Sequence, residues 1–134
     1  MINLVIYNEV LTKCTKYVLI VDDEEDICWL LSDILNKRGY RSLIAGSISS
    51  GKKMIQEFNP LLVFLDINLP DGSSLEALQE LKITSPDTKF IVMSSYASGK
   101  EKQKAIEDGA LNFITKPLSI RSVETVLLNI DKTC

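Results

Sequence analysis

The chain has 134 residues, of which 46% are hydrophobic and 25% are charged, with a net charge of −3 and no histidine. These values are typical of a single globular domain and argue against intrinsic disorder. The lack of histidine excludes Ser-His-Asp and Cys-His catalysis as well as histidine metal sites. The slightly negative charge gives no general attraction to nucleic acid or to an anionic membrane.

The cysteine pattern and the N-terminus bear on the cellular compartment. Cys14, Cys28 and Cys134 are widely separated and form no C-x-x-C pair, which favours a reducing environment over a disulfide scaffold or a zinc site. No apolar run approaches the roughly 20 residues that a membrane span needs. Met1–Leu11 is apolar, but it lacks a basic region and contains Glu9, which disfavours a secretory signal. We therefore expect a soluble, cytoplasmic protein without nucleic-acid or membrane contacts.

From Tyr17 onward, short apolar runs alternate with longer segments of helical periodicity. Several runs are apolar at nearly every position, which is typical of parallel strands covered on both faces. The helical segments carry one apolar stripe each. Strand–helix alternation over five units predicts an α/β fold, a doubly wound five-stranded parallel sheet with helices on both faces. The predicted strands are Tyr17–Val21, Arg41–Ala45, Leu61–Leu65, Phe90–Met93 and Asn112–Thr115.

These units occupy residues 17–131, which we predict to be one domain, followed by a short tail at residues 132–134. Gly39 and Gly109 stand where C′ glycines end helices. The segment Gly99–Asp108 has few apolar residues among its charges, so we expect the least firmly packed helix there. Residues 1–16 form an N-terminal extension outside the pattern. It is either a frayed arm, which we favour, or an added edge strand or dimer contact.

Polar side chains stand at the carboxyl ends of four predicted strands. Asp22 and Asp23 follow the first strand, Asp66 the third, Ser94 the fourth and Lys116 the fifth. In open α/β sheets, ligands bind outside the carboxyl ends of the strands. The predicted fold therefore brings three carboxylates, a hydroxyl and an amine to one rim.

Each of these residues also has a purely structural interpretation. The acids that follow Asp23, from Glu24 to Asp26, are best explained as a solvated helix N-terminus favoured by the helix dipole. Asp66 alone could cap a turn, Ser94 could be a turn serine and Lys116 a surface lysine. Their joint placement at one rim favours a functional site.

Electrostatics predicts a cation at this rim. Two carboxylates about 4 Å apart repel by about 4 kcal/mol at an effective dielectric constant of 20, so they must protonate or bind a cation. Oxygen ligands without histidine or thiolate suit Mg²⁺, with Mn²⁺ or Ca²⁺ as substitutes. Lys116 and Ser94 could contact a phosphoryl group. The set therefore predicts phosphoryl transfer to Asp66 as nucleophile.

At these residues the sequence resembles the receiver domain of bacterial two-component response regulators. The resemblance covers residues 17–131 and implies a flavodoxin-like (βα)5 receiver fold with strand order 2-1-3-4-5. The matching motifs are V-D-D-E at Val21–Glu24, L-D-I-N-L-P-D-G at Leu65–Gly72, M-S-S at Met93–Ser95 and F-I-T-K-P at Phe113–Pro117.

The resemblance implies a role for each matching position. Asp66 would accept a phosphoryl group from a phosphohistidine of a sensor histidine kinase or phosphotransfer protein. Asp23, Asp66 and the backbone carbonyl of Asn68 would ligate Mg²⁺ directly, and Asp22 would assist through water. Lys116 would pair with the phosphoryl oxygens.

The resemblance also implies a switch. Ser94 would hydrogen-bond the phosphoryl group, Phe113 would rotate inward behind it, and Pro117 would follow a cis peptide bond. The face formed by the fourth helix, fifth strand and fifth helix would then shift and engage a downstream effector protein or domain, or a second copy in a homodimer. The domain would be a phosphoacceptor rather than an enzyme, limited to self-phosphorylation and autodephosphorylation. Asn68 and Tyr96 occupy positions that tune the phosphoryl lifetime in this family.

Three alternatives compete with this hypothesis. A receiver-like interaction module without phosphorylation is disfavoured because all the site residues are present. A haloacid-dehalogenase-type phosphatase needs a second acid two residues after the nucleophile, and here Asn68 stands there, so the general acid is missing. A P-loop nucleotide binder is disfavoured because the chain has no G-x-x-x-x-G-K-[ST] motif.

Overall fold

The structure, a computed structural model, describes residues 16–96 and 98–130. The predicted N-terminal extension, apart from Lys16, and the predicted C-terminal tail lie outside the described residues. The strands are β1 Tyr17–Val21, β2 Arg41–Ala45, β3 Leu62–Asp66, β4 Asn68–Leu69, β5 Gly72–Ser73, β6 Lys89–Ser94 and β7 Asn112–Thr115. The helices are α1 Glu25–Lys37, α2 Ile48–Phe58, α3 Ser74–Thr84, α4 Gly99–Glu107 and α5 Ile120–Ile130.

Five of the strands form one parallel sheet in the order β2-β1-β3-β6-β7. This order confirms the predicted order 2-1-3-4-5, because β6 and β7 are the fourth and fifth strands of this sheet. The third strand includes Asp66 and the fourth includes Ser94, so both residues lie within the sheet instead of just beyond it. The small β4–β5 ladder was not predicted, because strands of two residues carry no periodicity.

The sheet separates two apolar layers, as the continuous apolar strands predicted. Alternate residues of β1 face opposite layers: Val18 and Ile20 face the layer that holds α1 and α5, whereas Leu19 and Val21 face the other helices. All four of these side chains are buried. Burial on both faces holds the strands in register and so fixes which residues emerge at their carboxyl ends.

The helix ends agree with the sequence signals. Gly39 and Gly109 have φ angles of 88° and 112° and stand directly after the C-caps of α1 and α4, as predicted for glycines that end helices. Ala105 is the only buried residue of α4, which matches the expectation of weak packing there. Among the described residues, no helix has both the length and the apolar character needed to cross a membrane.

Candidate functional site

Three aspartates converge at the carboxyl ends of β1 and β3. The two strands are neighbours, and Val21 is in register with Leu65, so Asp22 and Asp66, the residues that follow them, lie side by side. One carboxylate oxygen from each of Asp22, Asp23 and Asp66 lies within 4.8 Å of the others. Asp22 and Asp66 are buried, whereas Asp23 is exposed, so the cluster opens to solvent on one side.

Lys116, directly after β7, directs its ammonium group into this cluster. Its Nζ lies 2.7 Å from Oδ2 of Asp22, 3.2 Å from Oε1 of Glu24 and 3.3 Å from Oδ1 of Asp66. The lysine is buried, with 8% of its surface exposed. Its backbone N–H donates to the carbonyl of Ser94, and the Lys116–Pro117 peptide bond is cis, as the resemblance implied.

The charges in the cluster shift the pKa of two members. Burial, followed by the charge of Asp22, raises the pKa of Asp66 from 3.8 to about 6, and Lys116 offsets only part of this. Burial alone would lower the pKa of Lys116, but its hydrogen bond to Asp22 and the charges of Asp66 and Asp22 raise it overall. Lys116 therefore stays positively charged. The ionised form of Asp66 lowers the stability of the folded protein.

The donor set fits a hard divalent cation. The Lys116 ammonium group contacts three carboxylates, and the carboxylate of Asp23 lies in the same acidic cluster. A cation would relieve the excess negative charge. Oxygen ligands at a partly open rim suit Mg²⁺, which retains several waters. The nearby thiol of Cys28 is buried and donates to the Asp22 carbonyl, and burial raises its pKa to about 11. The thiol therefore stays neutral and is a poor competitor for the ion.

The remaining predicted site residues lie around the cluster. Ser94 is buried at the end of β6, and both of its described hydroxyl bonds, from the Tyr96 N–H and to the Tyr96 carbonyl, stay within the following turn. Phe113 is already buried in the apolar layer that contains Ala105 of α4. Asn68 is exposed at the start of β4, two residues after Asp66.

Two residues that support the site were missed in the sequence. The sequence favours a solvated helix end for Glu24. Its side chain is indeed 56% exposed, but its carboxylate contacts Lys116. Ser74, the first residue of α3, is fully buried and donates its hydroxyl to the backbone carbonyl of Asp66. Neither contact has a sequence signal, because each joins segments whose proximity depends on the fold.

Comparison with known proteins decides the family. The family model of the response regulator receiver domain matches residues 18–127. The chain belongs to this family. Receiver domains are signalling domains of two-component systems. They bind Mg²⁺ through acidic residues and interact with kinases and effector domains. This chain has an acidic cluster, formed by Asp22, Asp23 and Asp66, at the ends of β1 and β3.

Individual relatives support the same assignment. The chain is 33% identical to the chemotaxis protein CheY of Thermotoga maritima over 87% of this chain and 98% of CheY. It is 29% identical to the photosynthetic apparatus regulatory protein RegA of Rhodobacter capsulatus over 84% of this chain, but it spans only 61% of RegA. It also resembles the solved structure of a response regulator from Burkholderia pseudomallei with a phosphorylated aspartic acid, a calcium ion and citrate. That match has a TM-score of 0.76 and 25% identity, and covers 88% of this chain and 73% of the other.

Proposed function

We propose that this receiver domain accepts a phosphoryl group on Asp66 from a phosphohistidine of a sensor histidine kinase or phosphotransfer protein. The observation that carries the proposal is the placement of Asp66, with its Oδ1 3.3 Å from the Lys116 ammonium and beside two further aspartates. The phosphorylated aspartic acid in the Burkholderia pseudomallei relative lends support. We also propose that the domain spans residues 17–131 and that the protein resides in the cytoplasm.

The proposed reaction moves one phosphoryl group between two proteins. A carboxylate oxygen of Asp66 forms a bond to phosphorus while the P–N bond of the phosphohistidine breaks, and the electron pair of that bond returns to the imidazole nitrogen. The ammonium group of Lys116 would pair with the phosphoryl oxygens as their charge develops. Exposure of Asp23 marks the side from which the donor reaches the cluster. Apart from its own phosphorylation and dephosphorylation, the domain acts on no further substrate.

We assign the metal ligands to Asp23, Asp66 and the backbone carbonyl of Asn68, with Asp22 acting through water. Mg²⁺, or Mn²⁺ or Ca²⁺ in its place, would neutralise the carboxylates and the incoming phosphoryl oxygens. The structure of the Burkholderia pseudomallei relative contains a calcium ion and a phosphorylated aspartic acid, which supports this assignment.

Phosphorylation would act on the rest of the molecule through Ser94 and Phe113. To donate to a phosphoryl oxygen, the Ser94 hydroxyl must give up the hydrogen bond that it donates to the Tyr96 carbonyl, which would reorganise the turn between β6 and α4. Because α4 buries only Ala105, it resists such a shift weakly. Phe113 packs beside α4 and would move with it. We propose that the face of α4, β7 and α5 presents this change to an effector protein or domain, or to a second copy.

The assignment of Asp66 is tested by phosphorylation with a small phosphodonor and Mg²⁺, followed by intact-protein mass spectrometry. We expect one added phosphoryl group on the native chain and none on the Asp66→Asn variant. Asp87→Asn is the matched control, because Asp87 is an exposed aspartate in the loop before β6 and its substitution makes the same chemical change. Equal phosphorylation of native and Asp66→Asn chains, or no phosphorylation of either, would contradict the proposal.

A further inference from the structure

Glu24 stands at the N-cap of α1 without capping the helix. Its backbone is extended, with φ −88° and ψ 116°, and its side chain makes no cap hydrogen bond. The side chains preferred at an N-cap are those of Asn, Asp, Ser and Thr, which are short enough to reach the first helical N–H groups. The backbone N–H of Glu24 donates to Oδ1 of Asp22 at 2.9 Å, and its carbonyl accepts from the N–H of Cys28. The backbone of Glu24 is therefore held at the helix start, and its carboxylate is available to another partner.

That partner is Lys116, which lies 92 positions further along the chain. Its Nζ donates to Oε1 of Glu24 at 3.2 Å. The side chain of Lys116 is 5% exposed, whereas that of Glu24 is 56% exposed. The two other carboxylates in contact with this ammonium group, those of Asp22 and Asp66, are 0% and 7% exposed. Glu24 therefore reaches the ammonium group from the solvent side of the acidic cluster, and the two aspartates hold it from the interior.

Lys116 has as many carboxylate neighbours as it has hydrogen-bond donors. An ammonium group carries three N–H donors and no acceptor, and the three carboxylates lie within 3.3 Å of Nζ. A phosphoryl oxygen that pairs with this ammonium group must therefore take the place of one carboxylate.

Glu24 is the carboxylate that can be displaced at the lowest cost. Asp22 is buried and lies closest to Nζ, at 2.7 Å, so its separation from the ammonium group would leave a buried charge unpaired. Asp66 itself carries the phosphoryl group in the proposed function. Glu24 can turn its carboxylate into water, because an exposed ion pair contributes little to stability. If Glu24 stayed in place, its negative charge would lie beside that of the phosphoryl group.

We propose that Glu24 is a positioning residue that acts through Lys116 and opposes the phosphorylation of Asp66. Its carboxylate holds the ammonium group in the unphosphorylated domain and releases it when the phosphoryl group arrives. This role of Glu24 rests on the proposed function of Asp66. It makes a residue outside the phosphoacceptor and the assigned metal ligands a determinant of how fast Asp66 is phosphorylated.

The phosphorylation rates of two glutamine variants test this role. Native, Glu24→Gln and Glu25→Gln chains are treated with acetyl phosphate at saturating Mg²⁺, and the phosphorylated fraction is followed by intact-protein mass spectrometry. Glutamine keeps the size of the side chain and removes its charge. We expect Glu24→Gln to be phosphorylated about two- to five-fold faster than the native chain, which corresponds to the loss of an exposed ion pair. Glu25→Gln is the matched control and should stay near the native rate, because Glu25 is exposed in the first turn of α1 and is not among the described carboxylates that contact Lys116.

The NMR signal of the Lys116 ammonium group gives a second readout that does not depend on phosphorylation. Without phosphodonor and in EDTA, we expect the ammonium protons to exchange with water at least about two-fold faster in Glu24→Gln than in the native chain, because one acceptor on the solvent side is weakened. Exchange in Glu25→Gln should be unchanged. Equal exchange in native and Glu24→Gln chains would overturn the role of Glu24.

The role of Glu24 and the proposed function of Asp66 can fail separately. No phosphorylation of the native chain would contradict both. A native chain that is phosphorylated, with a rate that is unchanged or lower in Glu24→Gln, would overturn only the role of Glu24. Equal acceleration in Glu24→Gln and Glu25→Gln would also overturn it, in favour of general repulsion between the acidic segment and the anionic phosphodonor.

Discussion

At the scale of single residues, Asp66 combines a buried position in the acidic cluster with an energetic cost. Its pKa of about 6 arises from burial and from the charge of Asp22. Between about pH 4 and pH 6 the folded protein holds a proton on Asp66 that the unfolded chain has released. The free energy of unfolding therefore falls as pH rises through this window. The ionised site is thus preorganised for a cation and costs stability without one.

We expect the Asp66→Asn variant to be more stable than the native protein at pH 7 when divalent cations are absent. One pKa unit corresponds to about 1.4 kcal/mol and the pKa of Asp66 is raised by about two units, so the gain should be on the order of 3 kcal/mol. Below about pH 4 both proteins carry a neutral side chain at this position, and the difference should vanish. Urea unfolding of both proteins in EDTA, between pH 4 and pH 7, measures this difference in the free energy of unfolding. A difference that is zero at pH 7, or that does not change with pH, would contradict the origin proposed for the cost.

At the scale of elements, the N-terminus of α2 shows how the loop after β3 is anchored. The carboxylate of Asp71, between β4 and β5, accepts hydrogen bonds from the N–H groups of Ile48 and Ser49 at 2.9 and 3.0 Å. Ser47 caps the next donor, the N–H of Ser50. The first turn of α2 is therefore satisfied in part by a residue 22 positions or more away in the chain. These hydrogen bonds, above all the one from Ile48, lower the pKa of Asp71.

We expect Asp71→Ala to lower the melting temperature and to speed amide exchange at Ile48 and Ser49, because two helix donors lose their acceptor. Asp87→Ala removes an exposed aspartate that caps no described helix and should change neither quantity. Asp71 contributes stability above its ordinary pKa of 3.8, and this contribution is lost as pH falls through its lowered folded value. Unchanged exchange at both amides in Asp71→Ala would show that the two hydrogen bonds do not persist in solution.

At the scale of the whole molecule, the sequence predicts the features that depend on hydrophobic periodicity and on which residues stand at the ends of strands. β1, β2 and β7 have their predicted bounds, because short runs rich in apolar and β-branched residues differ in period from amphipathic helices. The convergence of Asp22, Asp66 and Lys116 follows from the same topology. What escaped prediction depends on tertiary approach: the contact of Glu24 with Lys116 and the cap that Asp71 places on α2 each join segments that no local pattern links.

The proposed metal site would join the carboxyl ends of β1 and β3, so we expect Mg²⁺ to stabilise the entire fold. At a concentration 100 times the Kd, binding to the folded state alone adds about 2.7 kcal/mol to the free energy of unfolding. We expect Asp23→Asn to lose at least about 1.4 kcal/mol of this increment, which corresponds to a ten-fold weaker Kd. Asp26→Asn removes the same charge three residues further on, in the first turn of α1, and should retain nearly the full increment. Urea unfolding of the native protein and the two variants, with Mg²⁺ and with EDTA, separates ligation by Asp23 from general attraction by the acidic segment. If Mg²⁺ raises the free energy of unfolding equally in both variants, Asp23 is excluded as a ligand.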